Sequence, residues 1–272
     1  MNPLFRIRAP GVLAGLLCGA VACGGYSSPA PAGDAPRLKL ASSARVGNYL
    51  VDGNGRSLYY FGQDLPAAAD KAAVSNCSDA CVAAWPIFHA DKLIVEGISA
   101  GDVGEITRSD GGKQTTFRGW PLYFFAGDAK AGDLAGEGVA DVWFVLRDQP
   151  YSIVLMSNAP GSEPVPYMSD GTGRSLYYFF HDTKGTASAA PVSACTTATC
   201  LGNFPVFVAD VEVVPSSLAS ADFTVFTRPD GRRQSAYKGQ PLYFFSGDAA
   251  AGDTKGRGFN SVWSTLNPTN AP

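Results

Sequence analysis

The sequence predicts a mainly β protein made of two tandem, duplicated small β domains built from hairpins, each with one short helix. Three observations predict it. The chain of 272 residues carries 31 Gly and 19 Pro, which cost about 1 and about 3 kcal/mol each inside a helix and so disfavour helical bundles. Asp-Gly pairs recur beside short apolar runs, at Asp52, Asp110, Asp170 and Asp230, where glycine accepts the positive φ of a tight turn. Finally, the run 49–61, ending Gly55-Arg56-Ser57-Leu58-Tyr59-Tyr60-Phe61, returns at 167–179, ending Gly173-Arg174-Ser175-Leu176-Tyr177-Tyr178-Phe179.

The elements follow from the N-terminus. Arg6 and Arg8 precede an apolar stretch over 11–22, too short for a bilayer span of about 20 residues, so 1–22 reads as a cleaved signal peptide. It ends Ala20-Val21-Ala22-Cys23-Gly24, which resembles a lipobox. Cys23 is then the acylated first residue, and the membrane is a partner through that lipid. The alternative is ordinary secretory cleavage with Cys23 left as a free thiol; an unpaired cysteine at that site favours lipidation. Residues 23–44 open with a Gly/Ser/Pro/Ala run and read as a flexible tether. Gly24 is compatible with sorting to the outer membrane if the cell is Gram-negative.

The body divides into a first repeat domain over 45–149, a linker over 150–164 marked by Pro150, Pro160 and Pro164, and a second repeat domain over 165–268. Inside it the run Leu-Tyr-(Tyr/Phe)-Phe-x-x-Asp occurs four times, ending at Asp64, Asp128, Asp182 and Asp248. These runs are apolar on both faces, which places them in central strands or beneath another layer. Trp143 and Trp263 mark a closing strand in each half. Helical pattern is confined to 75–85 and 193–204, which stop at Pro86 and Pro205, residues that cannot continue a helix. A formal charge of −3 and pI near 5.4 exclude nucleic acid as a partner, because phosphate-binding proteins present a basic face.

These segments are similar to the bacterial secreted-repeat lipoproteins, a family of uncharacterised function described by a Tyr-x-(Phe/Trp/Tyr)-x-x-Asp motif. The matching residues are Tyr59 to Asp64, Cys77-x-x-x-Cys81-x-x-x-Trp85-Pro86, Thr107-Arg108-x-Asp110-Gly111-x-x-Gln114 and Pro121-Leu122-Tyr123-x-Phe125-x-x-Asp128, with their second copies. The second copy departs from the pattern: Cys195 and Cys200 are one residue further apart than Cys77 and Cys81, and Phe204 stands for Trp85. The resemblance implies an extracytoplasmic lipoprotein and carries no activity with it.

Candidate chemistry is thin. Cys77, Cys81, Cys195 and Cys200 are an even set in an oxidising compartment; four cysteines allow three connectivities, and the duplication favours Cys77 with Cys81 and Cys195 with Cys200. Because i and i+5 point apart on a helix, Cys200 is expected beyond the last helical turn or in a loop. A thiol-redox or metal site is the alternative. His89 and His181 face Val208 and Gln63 in the repeat, so neither reads as a catalytic base. Asp128, Asp133, Asp248 and Asp253 lie on Gly-rich turns and are candidates for Ca²⁺, although such aspartates also cap their own turns; otherwise no cofactor is expected. Tyr59, Tyr177 and Trp120 are candidate ligand-binding aromatics, with Trp120 singled out because Gln240 replaces it in the repeat. The expected role is non-catalytic and structural or binding, toward an envelope protein or a glycan. A hydrolase would instead need two carboxylates about 5–10 Å apart in a cleft.

Overall fold

Each half begins with a strand that self-comparison of the sequence does not reveal. The computed structural model describes residues 36–68, 71–157 and 166–268; the leader, Cys23 and the tether as far as residue 35 lie outside the described residues. The first half runs β1 (Arg37–Ser43), β2 (Gly47–Asp52), β3 (Tyr59–Phe61), α1 (Ala80–Ala84), β4 (Ile94–Val95), β5 (Val103–Thr107), β6 (Lys113–Phe117), β7 (Trp120–Pro121) and β8 (Trp143–Val145). The second repeats it as β9 (Ile153–Met156), β10 (Tyr167–Asp170), β11 (Tyr177–Phe179), α2 (Ala198–Asn203), β12 (Phe223–Thr227), β13 (Arg233–Tyr237), β14 (Gln240–Pro241) and β15 (Trp263–Thr265). The mainly β, hairpin-built duplication is as expected.

In each half the first two strands pair antiparallel, β1 with β2 from Leu38↔Asp52 to Ser43↔Gly47 and β9 with β10 from Tyr167↔Met156 to Asp170↔Ile153. The third strand pairs with the last, β3 with β8 and β11 with β15, and β5-β6-β7 and β12-β13-β14 form meanders. At Asp110 and Asp230 the glycine of the pair, Gly111 or Gly231, takes positive φ, whereas at Asp52 and Asp170 the positive φ falls on the second glycine of Asp-Gly-x-Gly, Gly55 or Gly173.

Two boundaries are corrected. Strand β1 lies within the expected tether 23–44, and its Leu38 is wholly buried. Strand β9 lies within the expected linker 150–164, and all four of its residues are buried. The connection between the halves is therefore core, worth about 1.5–3 kcal/mol for each large apolar side chain it buries. The sequences of β1 and β9 differ, and three residues separate β1 from β2 where ten separate β9 from β10, so no alignment anchored on Tyr49 and Tyr167 reaches them. One cluster joins Leu38, Leu50 and Phe144 to Ile153, Leu155, Leu176 and Leu266. Two smaller clusters belong to one half each.

Those smaller clusters sit beneath the helices. Trp85 stacks on Trp143 at 3.8 Å and Trp143 on Phe61 at 4.1 Å; Phe204, Trp263 and Phe179 repeat the stack at 3.5 and 4.4 Å. Phe204 replaces Trp85 without loss because it fills the same place. The helices are shorter than the 75–85 and 193–204 expected: 75–79 and 193–197 precede the helical turns, and Trp85 and Phe204 leave helical geometry just before the prolines. Disulfides join Cys77 to Cys81 and Cys195 to Cys200, with Cα atoms 5.3 and 5.6 Å apart. The position of Cys200 is a correction: it lies inside α2, and it is Cys195, ahead of the helix, that leaves the regular path. Five-residue spacing closes because only one of the two cysteines is helical.

Candidate functional site

The repeated Tyr-x-Phe-x-x-Asp motif is a lock between two copies of itself. Tyr59 and Tyr123 face each other as antiparallel bridge partners, and each hydroxyl crosses to the aspartate of the other copy. Tyr59 donates to Asp128 Oδ2 at 2.8 Å and Tyr123 to Asp64 Oδ2 at 2.8 Å. In the second half Tyr177 donates to Asp248 at 2.7 Å and Tyr243 to Asp182 at 2.9 Å. The three-residue spacing from the aromatic to Asp carries the chain round a tight turn: Asp64 N–H returns to Phe61 O at 2.9 Å and Asp128 N–H to Phe125 O at 3.2 Å.

The inner aspartates anchor a second layer. Asp64 also accepts from Asn76 N–H at 2.7 Å, and Tyr123 Oη lies 2.6 Å from Ser75 Oγ. Ser75 in turn meets Arg108, whose guanidinium donates to Gln114 Oε1 at 2.8 Å and to Cys77 O at 2.7 Å. Arg228, Ser193, Gln234 and Cys195 repeat the layer. Arg108 thus ties the disulfide segment to the meander, which accounts for the Arg-x-Asp-Gly-x-x-Gln pattern. Burial pushes Asp64 up to about 8 and Asp182 to about 6. It raises the four motif tyrosines far above the ordinary phenol range, so they remain hydroxyl donors.

Most of the residues singled out in the sequence belong to this framework. Tyr59 and Tyr177 are wholly buried and offer no stacking surface. Asp128 takes Ala135 N–H on its second oxygen, and Asp133 caps Ala129 and Lys130; Asp248 and Asp253 do the same for Lys255, Ala249 and Ala250. These carboxylates hold their own turns. Among the described residues the side chains grouped like metal ligands are His89, Asp91 and Glu105, on the surface. Lys113 already pairs with Glu105 at 2.9 Å.

Trp120 is different. It is buried in the shared cluster, so it is part of the core although Gln240 replaces it in the repeat. Its ring lies 4.8 Å from Tyr60, and Tyr60 lies 5.6 Å from Tyr151, which belongs to the segment entering β9. Trp120 packs where the second half covers the first; Gln240, equally buried, turns its amide toward Phe179 O at 3.4 Å.

That junction holds a cavity of about 40 Å³ lined by Phe117, Arg118, Trp120, Arg147 and Tyr151, among others. A groove of about 540 Å³ sharing Arg118, Tyr151 and Gly171 runs on from it past Pro66, Phe207 and Phe244. Arg118 Nη1 and Arg147 Nε are buried with no hydrogen-bond partner among the described residues. Buried polar groups are almost always satisfied, so this place asks for an acceptor. Arg118 Nε donates to Asp102 at 3.0 Å, while the two guanidinium groups lie over the rings of Phe117 and Tyr151 at 4.8 and 5.4 Å. The corresponding residues of the second half are Lys238, Gln240 and Asn267, so the duplication does not repeat the cleft. Spacing could not reveal it, because Arg147 and Tyr151 lie where the sequence suggested the end of one domain and a linker.

A family model described as a secreted repeat of unknown function matches residues 41–89, 104–147 and 224–267. The unmatched stretch 148–223 contains the widened cysteine pair and Phe204. No curated protein and no solved structure matches the chain.

Proposed function

Given that the chain belongs to the family of secreted repeats of unknown function, we propose that it is an extracytoplasmic, lipid-anchored, non-catalytic binding protein whose ligand occupies the cleft between its halves. One observation carries this reading: the repeated polar residues are engaged in holding the fold, whereas the cleft's inner wall of Arg118, Trp120 and Arg147 has Lys238, Gln240 and Asn267 in its place in the second half. Two disulfides fit an oxidising compartment. The lipobox-like residues before Cys23 supply the anchor.

Two measurements test it. In detergent-phase partitioning the native protein should follow the detergent and Cys23→Ser the water; partition of both into water removes the anchor. Non-denaturing mass spectrometry of the Cys23→Ser protein, compared with its denatured mass, should find a small molecule retained or accepted on titration and both disulfides intact. Free thiols carrying a metal ion would favour the metal or thiol-redox alternative.

A further inference from the structure

Resting on the placement of binding at the junction, we propose that the cleft takes a small aromatic carboxylate, with its anionic end between Arg118 and Arg147 and its ring along the groove. The charge follows from the guanidinium groups. Each has a buried nitrogen lacking an acceptor, and an unsatisfied buried donor costs about 1–3 kcal/mol, more when charged. A carboxylate is the acceptor whose planar oxygens suit guanidinium donors. Of the nearby acids, Asp102 holds Arg118 Nε and Asp170 Oδ1 accepts Thr172 and Arg174 N–H within its own turn; buried Glu137, whose Oε2 accepts Val145 N–H, attracts Arg147 without hydrogen-bonding its Nε.

The size and walls limit the rest of the ligand. The inner cavity of about 40 Å³ exceeds the roughly 15 Å³ one water requires and suits one small anionic group. The body must then lie outward, where Pro66, Tyr151, Phe207 and Phe244 line the groove and favour a flat apolar ring. A polyanion fits poorly on a chain with pI near 5.4. The second half lacks the forked cations and the indole at the matching positions, so one site per chain is expected.

The test is a ¹H–¹⁵N NMR titration of the full mature protein carrying Cys23→Ser, with benzoate as probe and neutral benzamide beside it. Benzoate should bind saturably at one site, shifting the Trp120 indole and the amides of Tyr151 and Gly171, and at least tenfold more tightly than benzamide. The double variant Arg118→Lys/Arg147→Asn introduces the residues that the second half already carries at these positions and so respects the fold; it should weaken benzoate at least tenfold. Arg233→Gln, at an exposed pair with Asp210, should leave it unchanged. Benzamide binding at these residues as tightly as benzoate overturns the carboxylate assignment and leaves a binding cleft standing. If neither probe shifts them, the cleft reading falls too.

Discussion

Asp64→Asn tests whether the lock between motif copies holds a protonated acid. Asp64 is fully buried, and burial raises it to about 8, against the lowering by Asn76 N–H, Tyr123 and Arg108. Below about pH 4 the carboxyl is protonated in the folded and unfolded chain alike. Between about pH 4 and about pH 8 the folded chain keeps a proton that the unfolded chain has lost. Stability therefore falls as pH rises through that window, by at most about 1.4 kcal/mol per pH unit for this one group. Asparagine mimics the protonated acid: its oxygen still accepts Asn76 N–H, its amide can donate to Tyr123 Oη, and Tyr123 can turn its proton to Ser75. Urea unfolding followed by tryptophan fluorescence at pH 5, 7 and 9 reads the difference. Relative to wild type, Asp64→Asn should gain up to about 2.7 kcal/mol between pH 5 and pH 7. Parallel curves, or a variant that falls behind as pH rises, would refute the reasoning, because the native carboxylate would then be ionised and held by Arg108. Asp182→Asn should show a smaller gain that ends near pH 6.

Three further perturbations bear on the packing of the halves. A Cβ on Gly62 would meet the carbonyl oxygen of Leu155, so Gly62→Ala should cost about 1–3 kcal/mol in urea unfolding, while Phe180→Ala, at the matching exposed position, should stay within about 0.5 kcal/mol. Val154, buried at the junction, corresponds to the half-buried Lys39 of the first half; Val154→Lys should lower the thermal midpoint severely, since it buries an unpaired charge, and an unchanged midpoint would mean that β9 is not core. Replacing Cys77 and Cys81 together by serine should cost about 2 kcal/mol, the chain entropy of so short a loop, and an unchanged urea midpoint would show that the stacked rings fix the segment unaided.

The repeats, the turns, the cysteine pairing and the β class could be read from letters because each depends on residues near in sequence or duplicated. The lock could not. Tyr59 and Asp128 are 69 residues apart, and the motif shows Tyr and Asp together although each bonds to the other copy's partner. The first strands escaped because β1 mixes Arg37, Lys39, Ser42 and Ser43 with its leucines whereas β9 is apolar throughout, so the two are not alike. Trp120 stands out in the sequence for lacking a repeat, and the structure buries it against Tyr60 at a junction whose other wall, Tyr151, reads in the sequence as linker.

The central claim is that the repeated motif holds the fold and the unrepeated cleft binds. Its most direct test is to measure urea stability and benzoate affinity side by side in Tyr177→Phe and in Arg118→Lys/Arg147→Asn. Tyr177→Phe should lose about 1.5–3 kcal/mol, the worth of a hydrogen bond to a charged group, and keep its affinity; the double variant should stay within about 1 kcal/mol of wild type and lose affinity at least tenfold. Affinity lost on removing the Tyr177 hydroxyl, with the double variant binding normally, would contradict the account.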